Sequence, residues 1–353
     1  MKILLVSFST RGAMGDYFFL LAQEIGKKES VILMAPSYFN RKIEDTEIFK
    51  FKMGNSKLAS FFYLLNPVAI IKILKFIKKE KPDIIHLIFG EGYPPMLILA
   101  PYLKRKKIPL IITIHDPEIH PGGIIDTING FLRKFVIKSA TGIHIHSKLF
   151  REKIRKMKID NDKIFIIPHG SFAPLFEKYR NLNIEKENWI LFFGRLEKYK
   201  GLEYFIEAGL KFDNNFKFII AGPGKLDEKL LDEIKQNSNK FILINKFLSN
   251  EEVANLFQKS RVCVLPYIQA TQSSVPLISA YFDVPVVATK VGNFIEEIPL
   301  INGVLVDPQN SDSLVEGIYR AINLKPIYPK DREFSNLSDK FIFLYQKLLY
   351  KSK

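Results

Sequence analysis

Residues 189–202 read WILFFGRLEKYKGL, an apolar run followed by a basic turn that lies between two glycines. The run predicts a buried strand, and the residues from Leu202 onward predict a helix. Arg195 and Lys200 bracket the turn that joins them. A guanidinium and an ammonium beside a helix N-terminus can neutralise a diphosphate, and the helix dipole adds to the attraction. The turn is therefore a candidate phosphate site, and the alternative is a solvated basic turn.

The same alternation of short apolar runs and longer helical patterns extends in both directions along the 353 residues. It predicts an α/β protein, with parallel sheets covered by helices on both faces. The runs form two series, one in each half of the chain. The predicted strands are Ile3–Phe8, Val31–Met34, Ile84–Phe89, Leu110–Ile114, Gly142–His146, Ile164–Ile167, Trp189–Phe193, Phe216–Ala221, Phe241–Ile244, Val262–Leu265, Val284–Ala288 and Val304–Val306.

A polar stretch, Glu177–Asn188, separates the two series and shows little apolar periodicity. We therefore expect an N-terminal domain over residues 1–175 and a C-terminal domain over residues 187–330. Residues 331–353 have a helical pattern, and we expect this helix to return toward the N-terminal domain.

The charge of the chain is unevenly distributed. The net charge is +15, and residues 1–172 carry 28 Lys and Arg against 15 Asp and Glu, which places +13 in the first half. A basic surface of this kind suits nucleic acid, anionic lipid or plain exposure to solvent. Nucleic acid is disfavoured, because aromatic residues are not interleaved with a basic stripe and no recognition motif is present.

Met1 and Lys2 lead directly into the strand-like run Ile3–Val6, without the apolar region and cleavage site of a signal peptide. The single cysteine, Cys263, fits a reducing compartment because it cannot form an internal disulfide. Every apolar stretch is too short or too charged to span a bilayer. We therefore expect a cytoplasmic protein, with any membrane contact peripheral and on the inner face.

Short glycine-containing and polar segments follow the predicted strands in both halves. In the second half they are Ala221-Gly222-Pro223-Gly224, Phe247-Leu248-Ser249, Val284-Pro285-Val286-Val287-Ala288-Thr289, Val291-Gly292 and Glu296-Glu297-Ile298. In the first half they are a Gly-rich turn at residues 12–16, Thr113-Ile114-His115-Asp116, His146-Ser147 and Ile167-Pro168-His169-Gly170. Together with Gly194-Arg195 and Lys200-Gly201, these segments resemble glycosyltransferase family 4, closely in the second half and more loosely in the first.

This resemblance implies the GT-B fold, with two facing, doubly wound parallel-sheet domains of the Rossmann-like type. The donor binds the C-terminal domain and the acceptor binds the N-terminal one. The implied activity is that of a retaining, hexosyltransferase-like glycosyltransferase, which moves a sugar from a nucleotide-diphosphate sugar to a glycan or lipid-linked acceptor in polysaccharide or glycolipid biosynthesis. The family requires no metal or other cofactor. Two alternatives stay open: a non-catalytic nucleotide-sugar-binding protein of the same fold, and a basic nucleic-acid-binding protein.

The resemblance also assigns residues to the donor nucleotide and its phosphates. Arg195 and Lys200 hold the donor diphosphate, in agreement with their charge. Gly222, Phe247 and Leu248 belong to the same donor site.

The turn Gly12–Asp16 follows the first strand but lacks the three spaced glycines of a dinucleotide-binding fingerprint. The resemblance places Gly15 near the donor sugar and its phosphates. Asp16 can be either the N-cap of the next helix or a ligand contact.

The chain departs from the family where two glutamates are usual, because Ala270 and Ile278 occupy those positions. Just before the helix that starts near Pro276, a polar segment offers hydroxyls, an amide and free backbone N–H groups. We interpret it as an alternative phosphate and sugar cradle, and the other interpretation is a simple capping turn. The segment consists of Thr271, Gln272, Ser273 and Ser274.

His115 and Asp116 follow the predicted strand Leu110–Ile114, at a carboxyl edge where such folds bind ligands. The resemblance gives His115 a hydrogen bond to the donor sugar or a role in steadying the departing charge, and Asp116 a role in orienting it or binding acceptor hydroxyls. The alternative is a polar pair at a strand end. No metal site is predicted, since no two histidines have ligand spacing on one helix face.

Residues 68–79 predict a helix with Lys72, Lys75 and Lys79 along one side and apolar residues along the other. Such a helix can lie on an anionic membrane surface, and lysines near the bilayer strengthen its binding. It can equally be a helix that covers its own domain, with Ile70 and Ile73 against the sheet. The basic first half and a lipid-linked acceptor favour the membrane.

Overall fold

The computed structural model describes residues 1–54, 57–117, 124–181, 183–270 and 272–352. The chain forms two compact units, of which one comprises Met1–Gly170 with Phe334–Lys353 and the other comprises Ser171–Glu333. Each unit is built on one parallel sheet, as the alternation of apolar runs predicts.

The first unit has a seven-stranded sheet in the order β3-β2-β1-β4-β5-β6-β7. Its strands are β1 (Lys2–Ser7), β2 (Ser30–Pro36), β3 (Glu47–Phe51), β4 (Ile84–Phe89), β5 (Leu110–Ile114), β6 (Gly142–Ile145) and β7 (Ile164–Ile166). Its helices are α1 (Ala13–Gly26), α2 (Lys57–Leu65), α3 (Pro67–Glu80), α4 (Met96–Arg105), α5 (Ile124–Ser139), α6 (Leu149–Arg155) and α13 (Phe334–Ser352).

Alternate residues of each strand of this sheet point to two different helical layers. Leu4 and Val6 of β1 share one core with side chains of α3, α4, α5 and α6. On the opposite face, the rings of Phe341 and Tyr345 from α13 contact the ring of His86 on β4. The C-terminal helix therefore packs within the first unit, beside α1.

The second unit has a six-stranded sheet in the order β10-β9-β8-β11-β12-β13. Its strands are β8 (Trp189–Phe193), β9 (Lys217–Ala221), β10 (Phe241–Ile244), β11 (Ser260–Leu265), β12 (Val286–Thr289) and β13 (Val304–Val306). Its helices are α7 (Leu202–Lys211), α8 (Glu228–Gln236), α9 (Asn250–Lys259), α10 (Val275–Tyr281), α11 (Phe294–Leu300) and α12 (Ser311–Ala321).

All twelve predicted strands are present, with ends that differ by at most two residues, and the sequence missed β3. This edge strand pairs only with β2 among the described strands, and most of its residues are not buried, so its apolar signal is weak. Within the described ranges, none of the helices is both long and apolar enough to cross a membrane.

Candidate functional site

The second sheet reverses its strand order between β8 and β11, the place where doubly wound sheets bind ligands at their carboxyl edge. The turn after β8 meets the segment after β11 here, since the Ile268 backbone N–H donates to the Tyr199 carbonyl at 2.7 Å. The predicted basic turn therefore lies at the position that topology favours for a ligand.

Lys200 is buried at this point, with 7% of the residue exposed. Its Nζ donates to the hydroxyl of Tyr267 at 2.5 Å. Burial, and secondly the charge of Arg195, lower the pKa of Lys200 to about 8, so the ammonium is mostly charged at neutral pH. An ammonium has three donors, and Tyr267 accepts one of them, which leaves donors for an anion. Sequence reasoning missed Tyr267, which sits in an apolar run.

Arg195 is 65% exposed, and its Nη1 lies 2.6 Å from Oε1 of Glu197. It lines an open depression together with Phe247, Pro223 and Gly224. Two of the predicted donor residues, Arg195 and Phe247, thus come together. Leu248 is half-buried beside them and is not among the residues that line the depression.

The α9 helix begins directly after Phe247 and Leu248 through a capping box. The Ser249 hydroxyl accepts from the Glu252 N–H at 3.2 Å, and the Glu252 carboxylate accepts from the Ser249 N–H at 2.8 Å. This cap fixes the end of the Phe247 loop at the carboxyl edge of the sheet.

Gly222 lets two strand-end turns approach each other. Its φ is 138°, and a Cβ at this position would overlap the backbone carbonyl of Gly194. The Asn245 side chain then ties the β9 turn to the end of β10, accepting from Gly224 N at 3.0 Å and donating to Gly224 O at 3.0 Å. Gly222 therefore shapes the turn after β9 through its backbone, and Asn245 is a contributor that the sequence did not indicate.

The polar segment before α10 lies against the Lys200–Tyr267 pair. Burial raises the pKa of Tyr267, and a hydrogen bond with Ser273 opposes that rise. The Ser273 hydroxyl also accepts from Val275 N at 3.3 Å. The buried side-chain nitrogen of Gln272 has no hydrogen-bond partner among the described residues.

Ser274 is the N-cap of α10, and its side chain accepts no capping hydrogen bond within the described part of the chain. Thr271 lies outside the described residues. Ile278, at one of the two positions where the family usually has glutamate, is 4% exposed and packs in the core. A carboxylate at this position would be buried. The segment before α10 instead supplies Ser273, whose side chain bonds to Tyr267.

The first unit gathers five histidines on the sheet face that α1 and α13 cover. The residues are His86, His115, His144, His146 and His169. The ring of Tyr17 from α1 lies 5.1 Å from that of His115 and 5.3 Å from that of His169, measured between centroids. Burial lowers the pKa of His115 to about 3 and that of His144 to about 4. These imidazoles are therefore neutral at physiological pH.

Neutrality fixes the direction of one hydrogen-bond chain, because a neutral imidazole has one donor and one acceptor. His144 Nε2 donates to the Ile167 carbonyl at 2.8 Å, so its Nδ1 accepts from the Thr113 hydroxyl at 2.9 Å. That hydroxyl accepts from His86 Nε2 at 2.7 Å. The hydroxyl of Tyr345 then donates to His86 Nδ1 at 2.7 Å. The chain links α13 to the end of β7.

A second chain ends on His115, the predicted catalytic histidine. His115 Nε2 donates to the Ile88 carbonyl at 3.1 Å, and its Nδ1 lies 3.1 Å from Nε2 of His146. Nδ1 of His146 lies 3.3 Å from the Ile167 carbonyl, so two neutral imidazoles share two N–H groups among three contacts. Both ring nitrogens of His115 are thus engaged within the protein. Burial lowers the pKa of His146 well below its usual range. The link of His146 to His115 depends on the alignment of β5 with β6.

Asp116 is held by its backbone, since its carbonyl accepts from the guanidinium of Arg133. Nε of Arg133 also lies 3.0 Å from Oε1 of Glu91, and both side chains are largely buried. This pair, which the sequence did not indicate, attaches α5 to the loops after β4 and β5.

Gly15 lies in the first turn of α1, where a Cβ would overlap the Thr10 carbonyl. Glycine is therefore required here by packing. Gly12 is the N-cap of α1, so Asp16 is not the cap and lies inside the helix. Asp16 pairs with Arg41, and burial raises the pKa of this carboxyl against the influence of that arginine. Among the described residues, no group of three or more His, Cys, Asp or Glu is arranged to hold a metal.

Both halves of the chain match families of known proteins. Residues 17–171 match the family described as Glycosyltransferase Family 4, and residues 187–323 match Glycosyl transferases group 1. An uncharacterized glycosyltransferase of Methanocaldococcus jannaschii is 27% identical over 71% of this chain and 69% of its own length. A Campylobacter jejuni protein named as a GalNAc-GalNAc-diNAcBac-PP-undecaprenol alpha-1,4-N-acetyl-D-galactosaminyltransferase is 25% identical over 80% of this chain and 75% of its own length.

Solved structures agree in fold. Sucrose-phosphate synthase from Thermosynechococcus elongatus has a TM-score of 0.78 at 16% identity, over 99% of this chain and 100% of that one. Anabaena HepE in complex with UDP-glucose has a TM-score of 0.66 at 15% identity, over 99% of each chain. With its two parallel-sheet units, the chain belongs to glycosyltransferase family 4 and is a glycosyltransferase with the GT-B fold.

Proposed function

We propose that this enzyme is a retaining, hexosyltransferase-like glycosyltransferase that moves a sugar from a nucleotide-diphosphate sugar to a lipid-linked glycan acceptor. The observation that carries the proposal is the Lys200–Tyr267 pair at the strand-order reversal of the second sheet, with the exposed Arg195 nearby. A buried ammonium with donors to spare fits a diphosphate. Anabaena HepE, which shares the fold, is solved with UDP-glucose.

The proposed roles follow the chemistry of each side chain. Lys200 and Arg195 neutralise the diphosphate, and Phe247 and Leu248 border the nucleotide. The unused amide nitrogen of Gln272, with the hydroxyls of Thr271, Ser273 and Ser274, binds the donor phosphates and sugar. Gly222 and Gly15 allow the backbone to approach the donor. No metal or other cofactor is needed in this scheme, because the cations balance the charge of the leaving diphosphate.

His115 and Asp116 act at the transferred sugar and at the acceptor hydroxyl, respectively. His115 is neutral, so it serves as a hydrogen-bond partner of the donor sugar by exchanging its contact with His146 for one with a sugar hydroxyl when the donor binds. The acceptor class follows the Campylobacter jejuni relative, whose name contains PP-undecaprenol. A lipid-linked acceptor would be met at the inner face of the membrane by a peripheral cytoplasmic enzyme, through the exposed Lys72, Lys75, Lys78 and Lys79.

Calorimetric titration with UDP tests the donor site. We expect Lys200→Met to weaken UDP binding about 100-fold and Arg195→Ala about 10-fold, because Arg195 is exposed and already paired. Lys229→Met, which removes an exposed lysine from α8, should leave the affinity unchanged. Wild-type affinity in both site variants would refute the assignment.

Product analysis tests the reaction. Incubation with UDP-sugars and a lipid-diphosphate-linked glycan should give a product whose anomeric configuration, measured by proton NMR, equals that of the donor. Tight UDP-sugar binding without turnover would instead support the non-catalytic alternative. The sequence feature that favours this alternative is the absence of carboxylates at Ala270 and Ile278.

A further inference from the structure

Three helices that cover one face of the first sheet carry exposed apolar side chains. We name this set of side chains the outer apolar band, and its members are Val68 and Ile71 on α3, Ile98 on α4, and Ile128, Phe131 and Phe135 on α5. Phe131 is 75% exposed and Val68 57% exposed. Helices α3, α4 and α5 contribute to the same core on one face of the sheet, and α4 packs against α5.

The folded core does not use this band. Ile128, Phe131 and Phe135 recur at three- and four-residue spacing, so they line one side of α5. The other side of α5 supplies Val136 and Ile137 to the core. Since the helix already has a buried face, its exposed aromatic face is additional, and large exposed apolar patches mark interaction surfaces.

Three members of the band lie toward one edge of the sheet. Each of α3, α4 and α5 precedes a strand of the parallel sheet, so its first turns lie toward the carboxyl edge and its last turns toward the amino edge. Val68, Ile71 and Ile98 belong to the first two turns of their helices. Asp116, proposed to meet the acceptor, follows β5 at that same carboxyl edge.

Positive charge accompanies the band. By sequence, α2–α5 carry ten Lys and Arg against two Asp and Glu, whereas α7–α12 carry five against eleven. One of the two acids, Glu80, is buried and paired with Lys2 and Lys79. Lys72, Lys75 and Lys78 are exposed and make no ion pair with any described residue. The surface is therefore apolar and strongly basic, with little acidic compensation.

We propose that the outer apolar band inserts into the interface of an anionic bilayer, with the lysines of α3, α4 and α5 at the level of the headgroups. A basic surface with a large apolar component is what such an interface binds. A second copy of this chain fits less well, because a twofold contact would bring like-charged helices together. The proposal rests on the lipid-linked acceptor proposed above, whose sugar would then reach the carboxyl edge from the bilayer.

Sedimentation of the full chain with vesicles tests the proposal. Wild type should bind vesicles containing phosphatidylglycerol and should bind phosphatidylcholine vesicles at least tenfold more weakly. Phe131→Ser with Phe135→Ser should lower binding to the anionic vesicles at least tenfold. Ile327→Ser is the matched control, since Ile327 is 56% exposed in the second unit. It should bind as wild type does.

A depth measurement separates insertion from simple charge attraction. The fluorescence of Phe131→Trp, corrected for that of Trp189, should be quenched by brominated acyl chains and shifted to shorter wavelength. Replacing Lys72, Lys75 and Lys78 by Gln should remove the salt sensitivity of binding while the quenching of the remaining bound fraction persists. UDP-sugar hydrolysis is measured in parallel without vesicles, and it reports on the donor site independently of membrane binding.

Several outcomes would overturn the proposal. Equal vesicle binding by wild type and the double serine variant, or absence of quenching, would show that the band stays outside the bilayer. Concentration-dependent self-association that the double serine variant abolishes, without vesicle binding, would show that a second copy covers the band. Absence of transfer from UDP-sugars to a lipid-diphosphate-linked glycan by wild type would refute the proposed function while leaving the vesicle result to stand.

Discussion

Both sheets present polar side chains at their carboxyl ends, but the two clusters are satisfied in different ways. In the first unit, His86 and His144 bond to neighbouring side chains and a backbone carbonyl, and burial keeps them neutral. In the second unit, Lys200 is mostly charged and Arg195 is largely exposed. A cluster whose hydrogen bonds are closed within the protein supports the fold, whereas one with spare donors is suited to a ligand. The two clusters should therefore respond differently to pH and to substitution.

The largest difference between the two units is expected in how their stability changes from pH 7 to pH 5. Folding lowers the pKa of His86, His115, His144 and His146 below 6.5. Their contribution to stability is fully present above pH 6.5 and is lost as the pH falls below it. For His115 and His144, whose folded pKa values are about 3 and about 4, the loss is about 2 kcal/mol each at pH 5, because the unfolded chain binds the proton and the folded chain does not.

Glu297 in the second unit should act in the opposite sense. Burial raises the pKa of this carboxyl from 4.5 to about 7. Acidification from pH 7 to pH 5 should therefore stabilise the second unit by about 2 kcal/mol through this residue. Urea unfolding at the two pH values, with hydrogen exchange resolved by unit, should show that the first unit alone becomes weaker. An equal loss of stability in both units on acidification would contradict the expected difference between them.

His115→Ala tests whether one member of the histidine cluster in the first unit acts in the reaction as well as in the fold. Because His115 is proposed to act on the sugar as the bond breaks, we expect turnover to fall about 100-fold while UDP affinity stays unchanged. His86→Asn is the control, since His86 belongs to the same cluster but bonds only to Tyr345 and Thr113 among the described residues. It should lower the free energy of unfolding and leave turnover nearly intact. A parallel loss of UDP affinity in His115→Ala would point to a structural role.

Tyr267→Phe tests the polar cluster of the second unit, around Lys200. The substitution keeps the ring and removes the hydroxyl that accepts from Lys200. We expect UDP binding to weaken about tenfold, equivalent to about 1.4 kcal/mol, because the ammonium is then held less well. Calorimetry on Tyr267→Phe, Lys200→Met and the double variant gives the coupling energy. Strictly additive effects would show that Tyr267 does not act through Lys200.

The sequence predicted what depends on local pattern. The strand ends at β4, β5, β8, β10 and β13 agree residue for residue, because buried parallel strands are continuous apolar runs. The basic turn after β8 is also local, and the sequence indicated it. Tyr267 and His146 were not assigned to sites, because each acts through a hydrogen-bond partner that is distant in sequence. Their partners, Lys200 and His115, lie 67 and 31 residues away.

The smallest expected effect concerns Gln272, whose buried side-chain nitrogen has no hydrogen-bond partner among the described residues. A buried donor without a partner destabilises a fold, so its removal should leave the protein as stable as before or slightly more stable. If the donor substrate accepts a hydrogen bond from this nitrogen, Gln272→Ala should weaken UDP-sugar binding about threefold, since one neutral hydrogen bond contributes about 0.5–1.5 kcal/mol. UDP-sugar calorimetry and thermal unfolding measured on the same samples distinguish the two effects. Asn245→Ala is the comparison variant, because the oxygen and the nitrogen of the Asn245 amide both bond to Gly224, and their loss should lower stability. Gln272→Ala that lost stability while keeping full affinity would show that the amide serves the turn and that the segment before α10 is only a cap.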